Sequence, residues 1–280
     1  RTVLRGERGS NVPDLPDYWD MSVNGYTYAN KMLNLPDEYK VSGMPNGNQR
    51  IYEGKDIYRW EMRQFAGLDE KGNSLWYMDR DLTDGEGNVV GVEKVTTGDA
   101  TEATQYLLEK SALPDFTGGL NTTLRWKSLD LTIMTNFQFG GYGYDYDFSA
   151  FSSANFPMNR LKNYADAWNP ETGKGSAPIW NTNDSNINAS SDRFLISKTY
   201  FNLRNITLGY TFPANWMSKI GIKSVRVYFA CDNVFFASKR KGYDPRTSMG
   251  GQGATVALNS VDGTYYSPIR TTSVGLNINF

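Results

Sequence analysis

The chain has 280 residues and a net charge of −1, from 29 basic and 30 acidic side chains, with no histidine and a single cysteine, Cys231. This composition excludes imidazole general bases, histidine-ligated metals, disulfides within the chain and cysteine metal clusters. The balanced charge gives no general attraction for nucleic acid. A mean hydropathy of −0.54 is ordinary for a soluble protein, but transmembrane β-strands also average low because their apolar and polar residues alternate. No metal site and no cofactor are predicted.

Alternating apolar and polar residues recur along the chain, and each such segment predicts a strand. A weaker segment spans about 17–33, and Asp56–Phe65 also alternates. Strands over 116–126 and 129–139 follow, and their two-residue link predicts an antiparallel hairpin. Further strands are predicted over about 200–212, 224–236 and 271–280. No long helix is convincing, so the predicted class is all-β.

The connections between these strands are alternately short and long. The long ones cover about 34–115, 140–198 and 237–270, whereas 127–128 and about 213–223 are short. Outer-membrane barrels have tight turns on one side and long extracellular loops on the other. The short side carries the aromatic residues expected of an interfacial girdle, namely Trp126, Phe212, Trp216 and Phe280. We therefore predict an antiparallel transmembrane β-barrel, with a soluble β-sandwich as the alternative.

Two sets of residues are candidates for substrate binding. The loop after Phe139 interleaves tyrosines with carboxylates, which suits sugars because rings stack on C–H faces and carboxylates accept hydroxyl hydrogen bonds; its candidates are Tyr142, Tyr144, Asp145 and Tyr146. The alternative for this loop is a flexible surface segment. Polar positions on the strands predict lumen-facing side chains, with candidates Arg125, Asn136, Gln138 and Arg226.

Three ordered motifs carry a family resemblance. They are Tyr200–Pro213, Val225–Phe236 followed by Gly242–Pro245, and 267–271 leading into Val274–Phe280. Together with the segment Leu113–Leu120 they resemble the SusC/RagA family of TonB-linked outer-membrane transporters, from about Tyr18 to Phe280. The chain departs from the family pattern at Asp232 and Arg246, which leaves any loop ligand unassigned.

The resemblance implies a 22-stranded barrel plugged by an N-terminal domain, in the outer membrane of a Gram-negative bacterium. It also implies a TonB complex that pulls on the plug and a SusD-like lipoprotein that closes the barrel as a lid. Residues 1–280 are then expected to be the C-terminal portion of the barrel, without the plug, and to pair with the remaining strands of the same transporter. The last strand resembles the signal read by the barrel-assembly machinery, through Val274, Leu276, Ile278 and Phe280.

The expected function is import of oligosaccharides by a SusC-like transporter. Import of peptides and a soluble β-sandwich carbohydrate-binding module are the alternatives. A carboxylate-dependent glycosidase would need two acids about 5–9.5 Å apart, and no acid in the sequence stands out for that role. No enzymatic activity and no catalytic residue are therefore predicted.

Overall fold

A computed structural model of the chain describes residues 2–5, 17–152, 162, 166–181, 184, 186–187, 189–217, 219, 221–239 and 269–280. Strands dominate this part of the chain. In order they are β1 (Thr2–Arg5), β2 (Tyr18–Tyr26), β3 (Met44–Asn46), β4 (Gln49–Ile51), β5 (Arg59–Arg63), β6 (Phe65–Leu68), β7 (Ser74–Thr83), β8 (Val89–Thr97), β9 (Gln105–Ser111), β10 (Phe116–Trp126), β11 (Leu129–Phe139), β12 (Tyr142–Tyr144), β13 (Leu195–Ser197), β14 (Tyr200–Thr211), β15 (Ser224–Ser238) and β16 (Thr271–Asn279).

Helices are few and short among the residues that the structure describes. They are α1 (Tyr146–Phe151), α2 (Ala214–Met217) and single 3₁₀ turns at Asp37–Tyr39 and Asp192–Phe194. No helix in the described ranges is long and apolar enough to cross a membrane. The all-β class predicted from the alternation is confirmed.

The largest unit is an antiparallel sheet of seven strands in the order β1-β2-β10-β11-β14-β15-β16, called here the main sheet. Its strands lie where the alternation predicts them: β10 and β11 have the expected bounds, and β14, β15 and β16 differ by one or two residues at one end. The strand predicted over 17–33 ends earlier, at Tyr26. The short edge strand β1 has no counterpart among the predicted strands.

The register gives the main sheet two faces of opposite character. Rows of paired residues such as Leu124–Leu131–Leu208–Phe229–Val274 run across the strands on one face. Neighbouring rows, such as Thr123–Thr132–Thr207–Ala230–Ser273, lie on the other. Successive side chains of a strand point to opposite faces, so a two-residue period keeps the large apolar residues together. Many of them are exposed, including Leu208 at 47% and Phe229 at 46%.

Aromatic side chains mark the end of this apolar face that carries the short turns. Trp126 and Trp216 are more than half exposed, as is Phe280, and Tyr210 stacks edge-on against Phe212 with ring centroids 5.2 Å apart. Amphipathic rings at one level of an apolar band are typical of a membrane–water interface. The predicted girdle residues thus share one end of the sheet.

In their described residues, the connections expected over 34–115 and 140–198 are folded rather than plain loops. They form a unit called here the cap, with the sheets β3-β4-β5-β9, β6-β7-β8 and β12-β13. The cap has two buried clusters of its own: one includes Trp60, Tyr144 and Phe194, and the other is centred on Trp76. The third long connection, 237–270, lies mostly outside the described residues.

Candidate functional site on the polar face and in the cap

The polar face of the main sheet holds an ion pair near the short turns. Arg226 on β15 donates two hydrogen bonds to Asp130 on β11, from Nε to Oδ1 at 3.0 Å and from an Nη to Oδ2 at 2.5 Å. The intervening strand β14 contributes Gly209, which is paired with Asp130 in the register. A Cβ at Gly209 would collide with the guanidinium. The glycine therefore lets the arginine lie flat across one strand, in the bidentate geometry that makes such pairs strong.

Aromatic rings extend this ion pair sideways along the polar face. The Arg226 guanidinium lies 5.1 Å from the ring centroid of Tyr228, and that ring covers Gly275 on β16. On the other side, Arg125 lies 5.1 Å from the ring of Tyr18. Two predicted lumen residues, Arg125 and Arg226, thus belong to one transverse band of alternating cations and rings. Within it, the charge of Arg226 is already matched by a carboxylate.

The other two predicted lumen residues lie in a separate cluster of uncharged polar groups, near the cap. Asn136 Nδ2 donates to the Tyr200 hydroxyl at 3.2 Å, and Asn202 Nδ2 donates to Asn136 Oδ1 at 2.7 Å. Gln138 Nε2 donates to the carbonyl of Lys198 at 3.3 Å. Amides and hydroxyls both donate and accept hydrogen bonds. The cluster can therefore match a neutral polar ligand without contributing net charge.

Two of the cap residues predicted to bind sugar are buried. Tyr144 is 3% exposed and packs edge-on against Phe194, with ring centroids 5.9 Å apart. Asp145 is fully buried and caps helix α1, because its Oδ1 accepts the backbone N–H of Phe148 at 2.8 Å. Burial raises the pKa of the Tyr144 hydroxyl. This corrects the expected open mouth at these two positions, since neither side chain can reach a ligand from the cap core.

The remaining two residues of that loop lie at the margin of the same core. Tyr146 packs against Tyr144 with ring centroids 4.7 Å apart, and burial raises the pKa of its hydroxyl. Tyr142 is half-buried, and Lys110 Nζ lies 5.4 Å from its ring centroid. Within the described part of the loop, Tyr142–Tyr144 and Tyr146–Phe151 thus form a packed strand and helix rather than an exposed stacking platform. A binding role for Tyr142 and Tyr146 stays a prediction.

Lys198 links the polar cluster to the cap. Its Nζ donates to the carbonyl of Ala112 at 3.3 Å, and its own carbonyl accepts the Gln138 amide. Burial lowers the pKa of Lys198, because the charged ammonium is partly removed from water. The junction between the main sheet and the cap is therefore made of hydrogen bonds around a desolvated cation.

Sequence reasoning missed Tyr18, Asp130, Tyr200, Asn202 and Tyr228 as members of these clusters. The signal available in the sequence is the register of the β10–β11 hairpin, which pairs Arg125 directly with Asp130. The pairing of Asn136 with Asn202 joins β11 to β14, which are distant in the sequence, and carries no such signal. Across the described ranges, no three acidic or cysteine side chains converge in a way that could hold a metal ion.

The residues of the predicted assembly signal share the apolar face at the chain end. Val274, Leu276 and Ile278 are paired with Phe229, Val227 and Val225. The three signal residues are exposed on that face together with Phe280. An uncovered apolar strand of this kind fits contact with lipid. Its recognition by the assembly machinery stays a prediction.

Comparison with known proteins shows which proteins this chain resembles in sequence and in fold. The chain is 24% identical over 291 residues to TonB-dependent receptor P3 of Formosa agariphila, covering 96% of the chain and 27% of that protein. It is 24% identical to TonB-dependent receptor SusC of Bacteroides thetaiotaomicron, covering 94% of the chain and 24% of that protein. The structure of the RagAB peptide transporter superposes with a TM-score of 0.71 at 25% identity, over 99% of the chain and 28% of the matched chain.

The chain therefore spans about a quarter of the length of the curated relatives that it matches. No family model matches it. The resemblance carried by the three motifs is confirmed both by sequence and by fold: this chain is similar, over nearly its whole length, to part of the transmembrane β-barrel of SusC- and RagA-like TonB-dependent receptors.

Proposed function

We propose that the protein to which this chain belongs imports a nutrient across the outer membrane as a SusC-like TonB-dependent transporter. The chain supplies part of the barrel wall. The observation that carries the proposal is the opposite character of the two faces of the main sheet. One face exposes rows of leucine, valine and phenylalanine, and the other holds hydrogen-bonded polar groups. Lipid suits the first face and a water-filled lumen suits the second.

The alternative of a soluble β-sandwich does not explain the exposed apolar face of the main sheet. A sandwich packs the apolar faces of two sheets together, but the described strands leave the apolar face of the main sheet uncovered, with Leu208 and Phe229 nearly half exposed. The outer strands β1 and β16 each have one neighbour within the described sheet. Unpaired edges are prohibitively costly in lipid. Pairing with the remaining strands of the same transporter satisfies them.

Oligosaccharide is the proposed substrate class. The cluster near the cap offers the partly exposed Asn136 amide and Tyr200 hydroxyl, which exchange hydrogen bonds with sugar hydroxyls, whereas the buried Asn202 only holds Asn136 in place. The charges of Arg226 and Asp130 neutralise each other, so this pair does not favour a charged cargo. Transport of this kind needs binding and plug movement, and no catalytic residue is proposed.

Peptide is the second candidate cargo. It is favoured by the likeness to the RagAB peptide transporter. Backbone amides of a peptide use the same donors and acceptors as sugar hydroxyls, so the polar cluster serves either cargo. The partners we propose are a SusD-like lipoprotein lid, the TonB complex acting on the plug, and the barrel-assembly machinery.

An uptake assay in whole cells tests the proposal. Cells that carry or lack the full-length gene would receive a fluorescently labelled oligosaccharide or a labelled peptide of similar size. A strain without TonB serves as the energy control. We expect oligosaccharide uptake to disappear in both deletion strains and to return with the restored gene. If the deletion strains lost only peptide uptake, peptide would be the cargo instead of oligosaccharide. Unchanged uptake of both compounds would contradict the import function.

Variants then locate the cargo contact. Asn136→Ala and Gln138→Ala remove polar groups of the cluster near the cap. Asn277→Ala is the matched control, since it removes an amide from the same face of the sheet near the short turns. We expect half-maximal uptake to need a several-fold higher cargo concentration in the first two variants only. Equal effects of all three variants would show that the cluster does not bind the cargo.

A further inference from the structure

A notch interrupts the apolar face at the end of the main sheet nearest the cap. It has a volume of about 260 Å³ and is lined by Phe139, Thr199, Tyr200, Phe201, Ala237, Ser238 and Lys239. In the register, Ala237 pairs with Phe201, which pairs with Phe137 on the next strand. Ala237 is in line with Phe137 and Phe201 and two residues from Phe235 on the same face, so its short side chain leaves a gap between larger aromatic rings.

A cation stands at the outer rim of this notch. Continuing the alternation of β15 by one residue places Lys239 on the same face as Ala237, beyond the last paired residue of the strand. Lys239 is exposed. Lysines near the end of a membrane span lie along the apolar surface and extend the ammonium towards the lipid headgroups. The site thus combines an apolar slot with a positive charge at its rim.

We propose that this notch binds one acyl chain of an anionic, phosphate-bearing membrane lipid, with the headgroup phosphate held by Lys239. The slot is continuous with the lipid-facing surface of the barrel, so its occupant reaches it from the bilayer. Lipid tails elsewhere in the bilayer are as apolar as the slot. Discrimination among lipids must therefore come from the fit of one chain into the gap and from charge at the rim.

The strand β15 provides a matched control for the charge. Lys223 precedes the strand and Lys239 follows it, and the alternation places both on the apolar face at opposite rims. Lys223 is not among the residues that line the notch. Replacing either lysine by glutamine removes one charge from one rim of the same strand.

Native mass spectrometry of the full-length transporter tests the site. The delipidated protein would be titrated with phosphatidylglycerol and, separately, with zwitterionic phosphatidylcholine. A juxtamembrane lysine is worth about 1 kcal/mol to an anionic lipid surface, or about fivefold in binding. We expect Lys239→Gln to lower the preference for phosphatidylglycerol by about this factor, and Lys223→Gln to leave it within twofold of the unchanged protein.

Filling the notch tests the acyl chain separately. Ala237→Phe places a third phenylalanine beside Phe137 and Phe201, fills the gap and keeps the lysine, and we expect it to abolish the tightly bound lipid. Equal losses in the Lys239→Gln and Lys223→Gln variants would overturn the proposal, as would full binding by Ala237→Phe. Displacement of the lipid by excess inorganic phosphate alone would also overturn it, since it would show a phosphate site without chain recognition. Heat-dependent mobility on a denaturing gel verifies that each variant retains a folded barrel.

Discussion

The main sheet and the cap distribute the same kinds of residue in opposite ways. In the main sheet, Leu208, Phe229 and Trp126 are between 46% and 57% exposed. In the cap, Trp76 and Phe194 are completely buried and Trp60 is 4% exposed. The cap therefore has a core like that of a soluble domain, made by its own side chains. The apolar side chains of the sheet have no such partner, which is the expected arrangement when lipid takes the place of a core.

This contrast separates two ways of stabilising strands. The long strands of the main sheet need only a continuous apolar face and a hydrogen-bonded neighbour. The short strands of the cap, such as β3 and β4 with three residues each, depend on side chains that pack from distant parts of the chain. A mutation in the cap should therefore destabilise its neighbouring strands strongly. A mutation in the main sheet should change stability mainly by altering contact with lipid.

The largest effect is expected from Trp76→Ala. Removing a fully buried tryptophan that stacks edge-on against Phe65 costs about 3–5 kcal/mol. Trp126→Ala is the matched control, because Trp126 is exposed on the sheet. Hydrogen exchange of the full-length protein should then rise in β6–β8 in the first variant and hardly change in the second. Equal exchange in both variants would mean that the cap has no independent core.

A charge on the lipid face should have the next largest effect. Leu208→Arg places a guanidinium on that face and costs about 2 kcal/mol of barrel stability, within the range for such substitutions. Thr207→Arg introduces the same charge one residue away on the polar face. Urea unfolding of the full-length protein in lipid bilayers measures both. A larger loss for Thr207→Arg would reverse the assignment of the two faces.

The ion pair on the polar face should contribute somewhat less. Asp130→Ala leaves Arg226 without its bidentate partner and costs about 1–3 kcal/mol. In a double-mutant cycle, Arg226→Ala should cost far less in the Asp130→Ala background than in the native protein. Gly209→Ala should weaken the same coupling because its methyl group displaces the guanidinium. Additive single mutations would show that the pair contributes nothing to folding.

The smallest effect concerns pH at the junction. Burial lowers the pKa of Lys198 below 10.5 in the folded protein. The folded state then binds fewer protons than the unfolded state between the lowered pKa and 10.5, so stability rises with pH through that window. The variant Lys198→Met has no ionisable side chain at this position, so it lacks this pH dependence. The melting temperature of the native protein should approach that of Lys198→Met as the pH rises towards 10.5, whereas a constant difference would contradict the stated cause.

The main sheet could be predicted from sequence because each long strand encodes its own two faces. Phe116–Trp126 and Leu129–Phe139 alternate throughout, and their two-residue link fixes the hairpin register. The four-residue strand β1 is too short to show a period of two. The band formed by Arg226 and Asp130 requires pairing across β14, which alternation along a single strand does not reveal.

The cap resisted prediction for a physical reason. The strand β5 lies inside the alternating segment Asp56–Phe65, but three of its successive residues, Trp60, Glu61 and Met62, are buried, so burial in the cap does not follow the alternation. Tyr144 and Asp145 looked like a binding surface because their residue types suit sugars. Their burial depends on Phe194, which lies about fifty residues further along the chain. Such long-range packing decides whether an aromatic residue belongs to a core or to a ligand site.

The assignment of the two faces of the main sheet is tested most directly by spin labels along β15 of the full-length protein in outer membranes. After Cys231→Ser, single cysteines would replace Val225, Arg226, Val227, Tyr228 and Phe229 in turn. Collision rates with lipid-soluble oxygen and with a water-soluble nickel complex would then be measured for each label. We expect oxygen to dominate at 225, 227 and 229 and nickel to dominate at 226 and 228. Nickel access at all five positions would contradict a membrane-spanning sheet.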